Sequence, residues 1–188
     1  MELSYKEQFK KTVVPDMKKE FDFENDFAVP KITKVVVNVG VGRLVTASKD
    51  SRELINKISE VMAAITGQKA SLRPAKKSIA SFKVREGMPV GLKLTLRGKR
   101  MEDFIYRFIN LALPRVRDFW GIPLKNIDEE GNLNYGIKEY NIFPETESIQ
   151  NVPPFGLEIT FVTNAKSREQ AIKLYQLLGF PLLWQKNQ

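Results

Sequence analysis

Apolar and polar residues alternate along several stretches of the chain, and this period of two predicts β-strands with one apolar and one polar face. In Pro89–Arg97 every second residue is aliphatic, and the residues between them include Lys93 and Thr95. Lys31–Val41 alternates in the same way, with valines on one face and Asn38 on the other. Both stretches therefore predict strands that lie between a core and a polar surface.

Further strands are predicted on both sides of these two. Lys69–Arg73 and Phe82–Arg85 alternate basic with apolar residues, and Leu157–Thr163 alternates apolar with polar residues. Ile137–Pro144 is predicted as one more short strand. If Lys69–Arg73 and Phe82–Arg85 pair with Pro89–Arg97 in an antiparallel sheet, their apolar side chains form a core and their basic side chains form a platform on the opposite face.

Apolar residues that recur every three or four positions predict four helices. These helices cover residues 3–21, Asp50–Thr66, Lys99–Val116 and a last segment that begins after Ser167. Pro15 is predicted to kink or end the first helix, because proline has no amide hydrogen to donate. In the third helix, one face is predicted to carry the apolar residues Phe104, Phe108, Leu111 and Ala112.

Polar residues at the ends of two helices match known capping signals. Asp50 with Glu53, and Ser167 with Gln170, have the spacing of capping boxes, in which the first side chain accepts a hydrogen bond from a free amide of the first turn. Gly67 follows the second helix at the position where glycine commonly adopts the left-handed conformation. These residues predict where two helices begin and where one of them ends.

The predicted elements follow the order α-β-α-β-β-β-α-β-β-α, which favours an α+β fold. We expect an antiparallel β-sheet with helices packed on one face and a basic face on the other. The 188 residues suit a single domain, residues 1–188. Residues 30–100 and 155–180 are predicted to form its body, residues 74–80 a projecting loop, and residues 115–150 an irregular region.

Positive charge is concentrated in one part of the sequence. Lys69–Arg100 holds ten lysine and arginine residues against one acid, Glu86, which gives this stretch a net charge of +9. The whole chain carries +8, so the remaining residues sum to −1. A positive field concentrated in this way needs an anionic partner. We therefore expect the basic face of the sheet to be an RNA-binding face that neutralises phosphates.

Cysteine and histidine are absent from the chain. Their absence excludes disulfides, thiol chemistry, Ser-His-Asp triads and the common zinc sites. The sequence has no run of about 18 apolar residues and no apolar N-terminal segment, so neither a membrane span nor a secretory signal is expected. We expect a binding protein without a cofactor rather than an enzyme.

Short motifs distributed over nearly the whole chain resemble, in this order, those of bacterial-type large-subunit ribosomal protein five. The matching segments are Val39–Gly42, Ile65–Lys69, Ala75–Ala80, Phe82–Lys83, Arg85–Pro89, Thr95–Gly98, Ala112–Arg115, Arg117–Phe119, Gly136–Glu139 and Ile142–Glu145. Each segment is short, but the ordered set is specific to that family.

The resemblance implies a structural protein of the large ribosomal subunit in the cytoplasm. Such proteins bind 5S ribosomal RNA and help attach it to 23S ribosomal RNA in the central protuberance. They also contact the peptidyl-site transfer RNA and form an intersubunit bridge with small-subunit protein thirteen. Other central-protuberance proteins are expected as neighbours, and no membrane is involved.

The resemblance also assigns roles to particular residues. Positions that face 5S ribosomal RNA in the family correspond here to Asn38, Gln68, Thr95 and Arg97, and Lys69 and Lys93 are grouped with them. The loop that reaches the transfer RNA corresponds to Lys76, Lys77, Ser78, Ile79 and Ala80. The intersubunit bridge corresponds to Arg115, Arg117 and Asp118.

Alternative functions remain open on residue chemistry alone. A stand-alone RNA-binding assembly factor could use the same basic sheet. An enzyme acting on a phosphorylated metabolite could use lysine and arginine to clamp phosphate. The absence of histidine and cysteine argues against an enzyme, and Glu86 is the sole acid among the basic strands. The basic faces could also be no more than solvated strand surfaces.

Overall fold

The computed structural model describes residues 5–48, 50–149 and 151–183. Five strands form one antiparallel sheet in the order β2-β3-β1-β6-β5, and two short strands, β4 and β7, pair in parallel. In chain order the strands are β1 (Ile32–Gly40), β2 (Ser71–Pro74), β3 (Pro89–Leu96), β4 (Ile122–Pro123), β5 (Leu133–Ile137), β6 (Leu157–Thr163) and β7 (Leu182–Leu183). The predicted α+β class is confirmed.

Six α-helices accompany the strands in the part of the chain that the structure describes. They are α1 (Tyr5–Gln8), α2 (Val14–Phe21), α3 (Gly42–Ala47), α4 (Ser51–Thr66), α5 (Gly98–Arg107) and α6 (Arg168–Leu177). Two π-helical turns, Phe9–Val13 and Phe108–Ala112, join α1 to α2 and extend α5. The four predicted helical regions are therefore all present, although residues 3 and 4 of the first lie outside the described residues.

The central strands bury the side of the sheet that the sequence predicts. In β1 and just after it, the buried residues are Ile32, Val35, Val37, Val39 and Val41. In β3, the buried residues are Leu92, Leu94 and Leu96, each no more than 2% exposed. These side chains and the apolar residues of α4 belong to the core, since Ile58, Val61 and Met62 are fully buried. From Val35 onward in β1, and in the second half of β3, the alternation of apolar and polar residues therefore predicted the buried face correctly.

The predicted helix caps form as the sequence indicates. The Asp50 carboxylate accepts a hydrogen bond from the Glu53 amide at 3.2 Å, and the Ser167 hydroxyl accepts one from the Gln170 amide at 3.3 Å. The Gln170 side chain reaches back to the Lys166 amide at 3.1 Å. Gly67 ends α4 in the left-handed conformation with φ of 67°. Amides that the first helical turn leaves unpaired are satisfied in this way.

Pro15 does not end the N-terminal helix. It lies in the first turn of α2, directly after the π-helical turn Phe9–Val13. A proline inside an α-helix removes one hydrogen bond, but in the first turn its missing amide hydrogen is not needed. The wider turn before Pro15 allows the chain to remain helical through this proline.

Leu111 does not share the buried face predicted for the third helix. Phe104, Phe108 and Ala112 are buried, but Leu111 is 43% exposed and Leu113 is buried in its place. Phe108–Ala112 is a π-helical turn, which closes hydrogen bonds between residues five apart rather than four apart. The wider turn shifts the following side chains around the helix axis, so a pattern based on 3.6 residues per turn is wrong there.

Two of the predicted strands are wrong. Phe82–Arg85 is not a strand: Ala80–Phe82 forms a 3₁₀ turn and Lys83 has a φ of 53°. The fifth strand of the sheet is β5 at Leu133–Ile137 rather than Ile137–Pro144, whose residues form short 3₁₀ turns. Asparagine and glycine within β5 weaken its strand signal, and pairing with β6 overrides that local preference.

Contacts between residues divide the chain into two compact units. One comprises the described residues of Met1–Val35, Arg97–Tyr135 and Thr160–Gln188, and the other those of Val36–Leu96 and Gly136–Ile159. In the first unit, Phe108, Phe161 and Phe180 form an aromatic cluster with ring centroids 5.0–6.5 Å apart. In the second unit, Tyr140 stacks on Phe155 at 4.5 Å. The expectation of a single domain stays a prediction.

Tyr175 connects three segments of the first unit through one buried hydroxyl. Its oxygen accepts a hydrogen bond from the Leu133 amide at 3.1 Å. The same hydroxyl lies 3.1 Å from the Gly131 carbonyl and 3.0 Å from the Phe161 carbonyl, to which it donates. Burial raises the pKa of the Tyr175 hydroxyl well above its usual value. The hydroxyl therefore links backbone groups next to and at the start of β5 with one in β6, inside the core.

Replacing Tyr175 with phenylalanine is expected to destabilise the fold. The variant keeps the buried ring but leaves the Leu133 amide without its acceptor, which costs about 1–3 kcal/mol of the free energy of unfolding. Urea denaturation should show a lower midpoint with an unchanged slope. A matched control is Phe27→Ala, because Phe27 is 92% exposed and its replacement should leave the midpoint in place.

The loss of stability caused by Tyr175→Phe should become smaller as the pH rises above 10. In the folded parent the raised pKa keeps the hydroxyl protonated, whereas in the unfolded chain it ionises above its ordinary pKa of 10.0. The parent therefore loses this part of its stability as the pH rises above 10, and the variant has none of it to lose. The stability difference between the two should shrink in alkaline buffer; a constant or growing difference would contradict the assignment.

Candidate nucleic-acid interface

The face of β1 and β3 opposite the core is polar. Asn38 is exposed on β1, and Lys93 and Thr95 are half-buried on β3, each next to a buried neighbour in its own strand. Because successive side chains in a strand point to opposite faces, the burial of Val39 and Leu94 directs these three polar side chains to the outer face. The structure thus brings Asn38, Lys93 and Thr95 onto one surface, as predicted.

The edge strand β2 adds two residues to this surface. In the antiparallel register Ser71 lies opposite Lys93, and Arg73 lies opposite Gly91. Residues directly opposite each other in a sheet share a face, so Ser71 and Arg73 extend the polar surface beyond β3. Neither was among the residues assigned to 5S ribosomal RNA, but alternation within Lys69–Arg73 did predict both on the basic face, and the register with β3 agrees with that prediction.

The apolar face predicted for β2 is not buried. Leu72 lies opposite Leu92 but is 51% exposed, and all four residues of β2 are exposed. β2 is the outermost strand of the sheet beside β3. Alternation predicts which way a side chain points, but it does not show whether another element covers that side.

Gln68 follows the end of α4 and is hydrogen-bonded both to that helix and to β3. Its amide donates to the Thr66 hydroxyl at 3.3 Å, and its side-chain Nε2 donates to the Thr95 carbonyl at 3.4 Å. The left-handed Gly67 turns the chain out of α4 at this point, and Lys69 is exposed directly after it. The two predicted residues Gln68 and Thr95 therefore lie side by side.

Arg97 lies at the junction between β3 and α5. It is exposed, it has an extended backbone, and its side chain makes no hydrogen bond to the first turn of α5. Its position two residues beyond Thr95 follows the alternation of β3. The guanidinium group is therefore free of a capping role in the helix that follows.

The positive charge of Lys69–Arg100 is carried on the surface. Nine of its ten cations are exposed, and Lys93 is half-buried. Ion pairs between Lys6 and Glu102, Lys18 and Asp26, Lys57 and Glu53, and Lys173 and Glu20 all join residues outside this stretch. A surface with so many cations and one acid attracts phosphates at long range and neutralises them on contact.

The predicted projecting loop extends between β2 and β3 and is closed by backbone hydrogen bonds. At its base the Ala75 amide donates to the Met88 carbonyl at 2.8 Å, and the Gly87 amide donates to the Ala75 carbonyl at 3.0 Å. Lys76, Lys77 and their neighbours to Ala80 are exposed. All five predicted contact residues of residues 76–80 therefore lie on an ordered hairpin extension.

The residues predicted for the intersubunit bridge lie after the last turn of the third helical region. Arg115 ends the 3₁₀ turn Leu113–Arg115, and Arg117 and Asp118 follow it. All three are exposed, and Asp118 has a φ of 54° in the left-handed region. The tight turn presents charged side chains outward, next to Trp120, which is 84% exposed.

Metal sites and membrane-spanning helices are both absent from residues 5–48, 50–149 and 151–183. No cluster of three or more acidic side chains there could bind a metal ion. In the same residues no helix has both the length and the apolarity to cross a bilayer. The features that stand out are the polar sheet face, the basic loop and the charged turn at Arg115–Asp118.

Comparison with known proteins identifies the family. Residues 25–85 match the family model described as ribosomal protein L5, and residues 89–182 match the model that describes the C-terminus of the same ribosomal family. A large ribosomal subunit protein uL5 from Halothermothrix orenii is 49% identical over 175 residues, covering 93% of this chain and 96% of that protein.

Other relatives carry the same name. The protein from Dictyoglomus turgidum is 48% identical over 176 residues, covering 94% of this chain and 96% of its own length. That from Pseudothermotoga lettingae is 46% identical over 176 residues and 94% of both chains. Identity at this level extends along almost the whole length of each protein. The chain belongs to the ribosomal protein L5 family, whose members are the large ribosomal subunit proteins uL5.

Proposed function

We propose that this chain binds 5S ribosomal RNA through the polar face of its sheet and helps attach it to 23S ribosomal RNA in the central protuberance. Membership of the uL5 family makes it a structural ribosomal protein rather than an enzyme, and ribosomal RNA binding is characteristic of that family. The observation that carries the 5S proposal is the alignment of Asn38, Lys93 and Thr95 on one outer face of β1 and β3.

The chemistry of this face suits RNA that is not a uniform double helix. Lysine and arginine neutralise phosphates, whereas Asn38, Thr95 and Gln68 offer donors and acceptors for base edges and ribose hydroxyls. Protein side chains cannot read the deep major groove of an A-form helix, so sequence is read at loops and irregular regions. The sheet face is therefore proposed to dock on an irregular part of 5S ribosomal RNA, with Arg97 on a phosphate or a base edge.

Two further contacts complete the proposal. The basic loop with Lys76 and Lys77 is proposed to contact the peptidyl-site transfer RNA. The charged turn with Arg115, Arg117 and Asp118 is proposed to form the intersubunit bridge to small-subunit protein thirteen. Their exposure and charge support both assignments, and other central-protuberance proteins are the expected neighbours.

Replacing Arg97 with alanine should weaken binding to 5S ribosomal RNA by about 1–3 kcal/mol if the guanidinium makes a bidentate contact. The fold should be unaffected, because the Arg97 side chain does not cap α5. Filter binding with purified 5S ribosomal RNA measures the effect. The control is Arg52→Ala, which removes the same charge from an exposed position on α4. Equal affinities for parent and Arg97→Ala would overturn this assignment.

The double substitution of Lys76 and Lys77 with alanine should leave 5S binding nearly intact and weaken the contact with transfer RNA. Both side chains belong to the loop and not to the sheet face. Binding to 5S ribosomal RNA and to transfer RNA is measured in parallel. Lys10→Ala with Lys11→Ala is the control, since it removes another adjacent pair of exposed lysines. A double loop variant that loses 5S binding would show that the two surfaces are wrongly divided.

Binding to 5S ribosomal RNA should weaken with salt while its preference over an unrelated RNA of equal length persists. Each neutralised phosphate contributes a slope of roughly 0.7–0.9 in a plot of log affinity against log salt concentration. Phosphate contacts alone would give both RNAs the same affinity, whereas hydrogen bonds from Asn38, Thr95 and Gln68 would discriminate between them. Equal, salt-labile binding to both RNAs would favour a generic basic surface.

A further inference from the structure

The tip of the basic loop carries an exposed aromatic ring among cations. Phe82 is 70% exposed, and every residue of the tip, 80–83, is exposed. The loop residues 75–88 hold four cations, Lys76, Lys77, Lys83 and Arg85, and one acid, Glu86. An isolated exposed apolar side chain is common on protein surfaces and needs no special account. Here, however, the ring lies in a segment dense in positive charge.

Hydrogen bonds hold the tip in one conformation. Ile79 and Val84 exchange two backbone hydrogen bonds, at 2.9 and 3.2 Å, which close the four-residue tip between them. The Lys83 amide donates to the Ala80 carbonyl at 3.0 Å, and the Glu86 amide donates to the Ser78 hydroxyl at 2.9 Å. The tip thus presents Phe82 on an ordered backbone. Less conformational entropy is then lost when a ligand binds the ring.

Lys83 reverses the chain directly after the ring. Its φ of 53° lies in the left-handed region, which residues other than glycine adopt infrequently. This conformation ends the 3₁₀ turn Ala80–Phe82 and returns the chain to the pairing with Ile79. A backbone that departs from its preferred conformation to expose a phenylalanine is consistent with a binding role for that ring.

We propose that Phe82 is a stacking platform for an unstacked nucleobase of the RNA that contacts this loop. The ligand must combine a flat apolar face for the ring with negative charge for the loop's lysines and arginine, and a nucleotide combines the two. A paired base inside a helix has both faces covered, so the RNA must present a base that its neighbours leave free. The inference rests on the proposed transfer RNA contact and adds to it the class of group that is recognised.

The test measures how this chain and its variants bind one transfer RNA, either intact or with a single abasic position. The unpaired positions are made abasic one at a time, which keeps the phosphates and removes the base. Phe82→Ala should weaken binding to the intact RNA by about five-fold to a hundred-fold, as expected for one base–aromatic stack. On the transfer RNA that lacks the contacted base, Phe82→Ala should have no further effect on affinity. The stack between the ring and that base is already lost, so removing the ring loses nothing more.

Three more variants separate a stack from a merely apolar contact. Phe82→Trp should retain affinity, whereas Phe82→Leu should lose it, because leucine keeps apolar area but has no π face. Phe27→Ala should change nothing, since Phe27 is 92% exposed but lies in a segment with Asp22, Glu24 and Asp26. Parent-like binding by Phe82→Leu would show an apolar contact rather than a stack and would overturn the proposal.

The lysine variant distinguishes failure of this inference from failure of the proposed loop contact. If Phe82→Ala binds like the parent while the Lys76 and Lys77 double variant is weakened on every RNA, the contact is made to phosphates alone and the stack is wrong. If neither variant is weakened, the loop does not contact transfer RNA and the inference fails with that proposal. A Phe82→Ala variant that binds RNA normally but does not enter large subunits would point to a protein partner and would also overturn the stack.

Discussion

The central constraint on this structure is that β1 and β3 each have one buried and one outer face. Val37 and Val39 on β1 and Leu92 and Leu94 on β3 are at most 2% exposed. Their burial leaves no choice for the residues between them, because a shift by one residue would move every polar side chain into the core. The outer positions of Asn38, Lys93 and Thr95 are therefore fixed by the same interactions that stabilise the sheet. The backbone positions of this polar surface are therefore set by the core beneath it.

Two features of the proposed RNA surface have different physical roles. The cations of Lys69–Arg100 supply a field that acts on any phosphate, loses strength in salt and does not distinguish one RNA from another. The neutral polar groups of Asn38, Thr95 and Gln68 act only over hydrogen-bond distances and depend on where the strand backbones hold them. The hydrogen bond from Gln68 to the Thr95 carbonyl illustrates this dependence, since it couples the end of α4 to β3. In the proposed complex, affinity would come mainly from the charge and specificity from the polar groups of the sheet.

Much of the fold could be predicted from the sequence where local and tertiary preferences agree. β1, β3 and β6 have regular alternation, and α4 and α6 have clear caps; the structure has each element within about two residues of the expected bounds. The sequence predictions are wrong where local and tertiary preferences disagree. The π-helical turn at Phe108–Ala112 changes the period of a helix, and β5 forms despite Asn134 and Gly136 because it pairs with β6. Alternation predicted Ser71 and Arg73 on the polar face, but only the strand register shows that they lie opposite Lys93 and Gly91.

The position of β2 at the edge of the sheet allows one hairpin to present two surfaces. An exposed edge strand invites pairing with other chains, but β2 has only four residues, and Arg73 and Pro74 lie at its end, where charge and proline oppose such pairing. No strand lies outside β2 in the described sheet. The chain therefore leaves β2 at Pro74 and enters the projecting loop at the edge of the sheet. The base of the hairpin contributes Ser71, Arg73 and Lys93 to the sheet face, and its tip presents Phe82. Backbone hydrogen bonds of Ala75 with Met88 and Gly87, and of Ile79 with Val84, tie the two arms of the hairpin together, so the sheet face and the tip belong to one ordered element.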